Sequence, residues 1–154
     1  MNPKKTKTMS TMAAKRSDPK VSLVLTQIFN RVHRFAKGKF PRTPHLWLSV
    51  GCKDIEKYRH VSKRSFCHVF HRDGVVCTVP ELVTLPINFI VGILIHEVGH
   101  AIAMNEWNCS GEPDADLAVL QFLGINLGYK GNLTLEWVPN DVVKRVLGVK
   151  TLGR

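Results

Sequence analysis

The chain has 154 residues, 44% of them hydrophobic and 22% charged. These proportions suit one compact domain with an ordinary core, and they exclude wholesale disorder and two full domains. The 22 Lys and Arg against 12 Asp and Glu give +10, but residues 1–72 hold 17 basic and 3 acidic side chains while residues 73–154 hold 5 and 9. A basic front half is joined to a mildly acidic back half, so binding of polyanions and binding of cations are questions for different parts of the chain.

Residues 1–20 carry six Lys/Arg and no aromatic residue. Such a segment does not offset the entropy of ordering, and it is expected to be a disordered basic tail, with residues 21–154 as a single domain. The tail has no apolar stretch of the kind a secretory leader needs. A cytoplasmic protein with reduced Cys52, Cys67, Cys77 and Cys109 is therefore expected. Val21, Val24, Leu25, Ile28, Phe29, Val32 and Phe35 recur at three- and four-residue steps, which predicts an amphipathic helix ending near Lys37-Gly38. After Pro41 and Pro44, residues 45–50 read as a strand. Asp73-Gly74 between residues 65–71 and 75–79 predicts a hairpin, hence a small antiparallel sheet. The apolar run Leu82 to Ile95 is fourteen residues long and contains Pro86, short of the roughly 20 needed to cross a bilayer. It predicts a strand end and then a buried helix from Pro86 to Met104, with no membrane span. A second helix from Pro113 to Leu123, a turn over residues 128–131, a strand from Leu133 to Val138 and a short helix from Asp141 to Leu147 complete an α+β order.

The buried helix contains His96-Glu97-Val98-Gly99-His100. Residues four apart on a helix lie about 40° apart in projection, so His96 and His100 aim two imidazoles at one point, as two zinc ligands do. Glu97, about 100° round from His96, reaches a water at the metal without ligating the metal, which is the position of a general base. The bare pattern also occurs by chance on ordinary helices. Here the surroundings are apolar, and three such polar groups are costly there unless paired or bound to a metal.

Catalytic zinc takes three protein ligands and leaves a position open. His100 is the last histidine of the chain, so a third histidine downstream is excluded. Glu106 falls about 240° from His100 on the same helix and points away. Ala115, Ala118, Val119, Phe122 and Leu123 mark the inward face of the second helix. Glu112 and Asp116 share that side and Asp114 does not. Glu112 is then the third ligand, and Asp116 the partner that holds a ligand histidine by its other ring nitrogen. The alternative is that all three acids simply favour a helix N-terminus.

At these residues the chain resembles the gluzincin metallopeptidases in their minimal form. His96-Glu97-Val98-Gly99-His100 followed by Glu112-Pro113-Asp114-Ala115-Asp116 is similar to the HExxH and ExxAD pairing of M48-type peptidases and to the corresponding pairing of ImmA/IrrE-like proteins. The resemblance covers about residues 74–125, roughly a third of the chain. It implies a zinc-dependent endopeptidase acting on a protein or peptide, with an edge strand that receives the extended substrate, here Val75 to Val79. The chain departs from these relatives in lacking the transmembrane helices usual in the first group and room for the helix-turn-helix domain often found beside the second.

On this reading Glu97 passes a proton from water to the leaving amine, and Tyr129, Tyr58 or His45 supplies a donor to the oxyanion; Tyr129 is the named candidate. Cys67, His68, His71 and Cys77 read as strand residues around buried thiols rather than a second metal site, because alternation puts Cys67 and His71 on one face and His68 on the other. Trp47, Trp107 and Trp137 are spaced too widely for a base-stacking platform. The second class in view is a zinc-containing regulatory or interaction module that binds nucleic acid through the basic half.

Overall fold

The computed structural model describes residues 18–51, 67–70, 73–109, 111–127, 129–130, 133–134 and 136–148. The basic segment 1–17, Tyr58 and His71 lie outside them. The first described element opens at Asp18, whose side chain accepts a hydrogen bond from the Lys20 amide at 3.0 Å and caps helix α1, Pro19–Lys39. Pro19 takes the first helical position, where its missing N–H costs nothing. Pro19 and Lys20, expected in the tail, therefore belong to the helix. Leu25, Phe29, Val32 and Ala36 form its buried stripe, while Arg34, Lys37 and Lys39 stay exposed.

Three strands follow, β1 Trp47–Val50, β2 Cys67–Phe70 and β3 Val75–Thr78. β2 and β3 pair antiparallel across the Asp73-Gly74 turn, with Phe70 opposite Val75 and His68 opposite Cys77. β1 pairs with β3 in parallel, Trp47 opposite Val75, so the sheet is mixed in the order β1-β3-β2. Two expectations are corrected by this pairing. The sheet is not purely antiparallel, and Val75 to Val79 is not an edge that receives a peptide, because β3 is the central strand. Its sequence gives the reason. Val-Val-Cys-Thr is buried at all four positions, and a strand without apolar-polar alternation is one covered on both faces.

A 3₁₀ turn, Pro80–Thr84, leads into helix α2, Ile87–Trp107. Every residue from Ile90 to Ala103 is buried, as befits a helix that is apolar all round. With 21 residues, α2 is long and apolar enough to cross a membrane, and most of it is buried inside the fold. Asn108, in the left-handed region at φ 55°, ends it. Helix α3, Glu112–Ala118, packs back against α2 and continues as one π-helical turn, Val119–Leu123. Strands β4, Tyr129–Lys130, and β5, Leu133–Thr134, pair antiparallel, and helix α4, Asn140–Leu147, closes the α+β fold.

The strand expected from Leu133 to Val138 exists only at Leu133–Thr134. Residues 136–138 instead lie along α2. The Val138 amide donates to the Asn88 carbonyl at 3.3 Å, and the Asn88 side-chain amide donates to the Val138 carbonyl at 2.7 Å.

Two glycines allow other segments to touch the backbone of α2. A methyl group on Gly99 would lie 2.5 Å from the Ala115 carbonyl oxygen and 2.6 Å from a Val119 methyl, and one on Gly92 would lie 1.6 Å from the Glu136 carbonyl oxygen. All three separations are inside van der Waals contact, so α3 and residues 136–138 sit as near to α2 as a backbone permits. Replacing a helical glycine by alanine ordinarily gains about 1 kcal/mol. Gly99→Ala is expected to lose about 1–3 kcal/mol instead, as overpacked cores do; urea unfolding reads the sign, and an unchanged or higher midpoint contradicts the close crossing.

Candidate metal centre

His96 and His100 stand one turn apart on α2, 1% and 7% exposed, with their rings edge to face and centroids 4.6 Å apart. The crossing at Gly99 brings the first turn of α3 over them. Glu112, the first residue of that turn, spans both rings: its Oε2 lies 2.9 Å from His96 Nε2 and its Oε1 2.9 Å from His100 Nε2. One turn further, the buried Asp116 places Oδ1 2.8 Å from His96 Nδ1. Four of the five side chains singled out by spacing are thus brought together, and Asp114 and Glu106 are not among them. Asp114 accepts from the Gly111 amide at 2.9 Å and caps α3, and Glu106 pairs with Arg42.

With Nδ1–H donating to Asp116 and Nε2–H donating to Glu112, His96 carries a proton on both nitrogens. Burial lowers its pKa, but the hydrogen bonds to Asp116 and Glu112, with the charges of Glu97 and Glu136 behind them, raise it to about 11. The same bonds, His100 first and His96 second, hold the Glu112 carboxyl well below the usual carboxylate range, although Glu112 is half exposed.

Glu97 is 6% exposed, and its carboxylate lies within 4.8 Å of a ring nitrogen of each histidine. Burial pushes its pKa up against the opposing pull of His96 and His100, which is the direction a general base working near neutrality needs. The edge strand β2 flanks this side: burial and then the charge of Glu97 push the Cys67 thiol well above its usual value.

A residue not anticipated from the sequence also belongs here. Glu136 places a carboxylate oxygen within 4.8 Å of ligand atoms of both His96 and Glu112, and burial raises its pKa to about 7. Two sequence signals mark it in retrospect. It is a lone acid inside the apolar run Leu133-Thr-Leu-Glu-Trp-Val138, and Gly92, one turn before His96, signals a close backbone approach.

Of the proposed oxyanion donors, Tyr129 opens β4, but its side chain lies outside the described residues. His45 stands edge-on to His33, ring centroids 5.9 Å apart, and is in neither of the metal-competent groups found among the described residues. Trp107 packs on Phe122, while Trp47 and Trp137 are about half exposed. Comparison with family models, with curated proteins and with solved structures finds no match for this chain.

A divalent cation fits where the protons of the cluster now sit. Two imidazole nitrogens and a carboxylate converge from two helices, a donor set that zinc accepts. Asp116 Oδ2 is buried and makes no hydrogen bond among the described residues, so its charge is balanced by cationic character on the far side of the His96 ring.

The stability of the metal-free protein is expected to depend on pH in a definite direction. His96, raised from 6.5 to about 11, stabilises the fold fully below pH 6.5, and that contribution is lost as pH rises towards 11. Glu136, raised from 4.5 to about 7, acts in the same direction over its own interval. Glu112 is depressed, so its contribution is complete above 4.5 and is lost only in acid. Each proton held by the folded but not the unfolded chain is worth about 1.4 kcal/mol per pH unit, or about 3–6 °C in a protein of this size. The melting temperature in chelator is therefore expected to fall from pH 5 to pH 9, and zinc to restore most at the alkaline end. A flat or rising profile contradicts this electrostatic account.

Proposed function

We propose that the chain is a metal-dependent hydrolase of peptide bonds that holds zinc through His96, His100 and Glu112. The observation that carries this reading is the convergence of those three side chains, with the Glu97 carboxylate within 4.8 Å of both histidines and not engaged by Glu112. Bound there, zinc supplies a Lewis acid that lowers the pKa of water and polarises a carbonyl. Glu97 takes the proton from the attacking water and returns it to the leaving amine. Asp116 fixes the His96 ring through Nδ1 and so presents Nε2 to the site. Val98 and Ile95, both fully buried, keep water away from the helix behind the histidines.

An extended protein or peptide segment docks, in this reading, along the edge strand β2, which lies on the Glu97 side, rather than along the central β3. The resemblance to minimal gluzincins gives the same activity, and its family assignment stands as part of the proposal. A second reading, a zinc-containing module that binds nucleic acid, rests on the exposed Arg34, Lys37 and Lys39 of α1. In that case Glu97 has no chemical role.

Glu97→Gln separates the two. It keeps size and hydrogen-bonding capacity, so zinc content is expected to stay at the parent level while cleavage of an unfolded protein substrate such as casein falls at least about 100-fold, as loss of general base catalysis does. Equal cleavage by the loaded variant contradicts the role given to Glu97.

A further inference from the structure

Glu136 is not part of the HExxH and Glu112 constellation, yet it is built into the same site. Asn88, Gly92 and His96 follow one another at four-residue steps along one row of α2. Asn88 grips Val138 through both its backbone carbonyl and its side-chain amide, and the same amide donates to Asn140 Oδ1 at 2.8 Å. Gly92 receives the Glu136 carbonyl oxygen in the space a side chain would fill. His96 is the next residue of the row, and the Glu136 carboxylate lies within 4.8 Å of ligand atoms of His96 and Glu112.

We infer that Glu136 is a fourth protein ligand of the metal, giving a donor set of two histidines and two glutamates with Glu97 left outside it. This rests on a metal held by His96, His100 and Glu112 and not on the peptidase reading. Donors at zinc bond lengths of about 2.1 Å sit about 3.4 Å apart around a tetrahedral ion. The 2.9 Å separations of the proton-bridged cluster open slightly on such a site, and Glu136 closes in from within 4.8 Å by rotation of a partly exposed side chain. Its backbone, pinned at Gly92 and Asn88, need not move. The usual alternative for a half-buried acid, a salt bridge to Lys or Arg, is not seen at Glu136 among the described residues. Four protein donors suit a closed zinc centre, and the open position that hydrolysis needs then depends on the Glu136 side chain swinging away.

The test is metal affinity and ligand field in the full chain carrying Glu136→Gln, a change that keeps the shape of a side chain already in contact with solvent. Zinc affinity measured against a chromophoric chelator is expected to fall by more than the roughly 10–100-fold that partners outside the coordination shell cost. With Co(II) in place of zinc, the visible bands are expected to change in position and intensity relative to the parent. Glu136→Asp, which shortens the reach, is expected to fall between the two. Parent-like affinity and bands in Glu136→Gln overturn the fourth ligand and leave the metal centre standing. Failure of the unmodified chain to take up zinc or Co(II) overturns the metal centre itself and this inference with it.

Discussion

At Gly99 the backbone of α2 comes so near the Ala115 carbonyl that a methyl group would sit 2.5 Å from it, and the position of Glu112 follows from that contact. Glu112 lies three residues before Ala115, on the first turn of α3. Any larger residue at 99 pushes this turn away from His96 and His100. The glycine in His96-Glu-Val-Gly-His100 is thus a packing requirement, not filler between the histidines. Gly92 does the same for the segment that carries Glu136, so the two empty places on one helix fix how near the two outer carboxylates come to His96.

Four carboxyl groups, one from α2, two from α3 and one from the segment before α4, around two imidazoles of an otherwise apolar helix form an unbalanced cluster unless something positive sits among them. Without a metal the balance is kept by protons, chiefly on His96, and by leaving Glu97 and Glu136 reluctant to ionise. A divalent cation serves the same purpose with better-matched charge, and the exchange of proton for metal links affinity to pH. This also changes the meaning of the +10. The back half holds 9 acidic residues, and Glu97, Glu112, Asp116 and Glu136 gather around one pair of rings. Of the 17 basic side chains in residues 1–72, six lie in residues 1–20, and Arg34, Lys37 and Lys39 lie on the exposed face of α1.

Much of the site is legible in the sequence because it is helical and local. A four-residue step places His96 and His100, and an apolar stripe at three- and four-residue steps places Glu112 and Asp116 on the inner side of α3. The hairpin is legible for a similar reason, since Asp73-Gly74 dictates a tight reversal. Three features are not local. The parallel pairing of β1 with β3 depends on α1 and the sheet packing together, and nothing in residues 45–50 specifies the partner. The central place of β3 shows only in the absence of polar alternation. Glu136 reaches the histidines through a backbone contact with a glycine forty-four residues earlier in the chain, which periodicity cannot report.

Metal content decides the central claim. Purified protein, stripped with chelator, re-equilibrated with zinc and freed of excess, is expected to carry one zinc per chain by elemental analysis, and His96→Ala and Glu112→Ala to carry almost none under the same treatment. A parent protein that retains no zinc, or a His96→Ala variant that retains as much as the parent, contradicts the account.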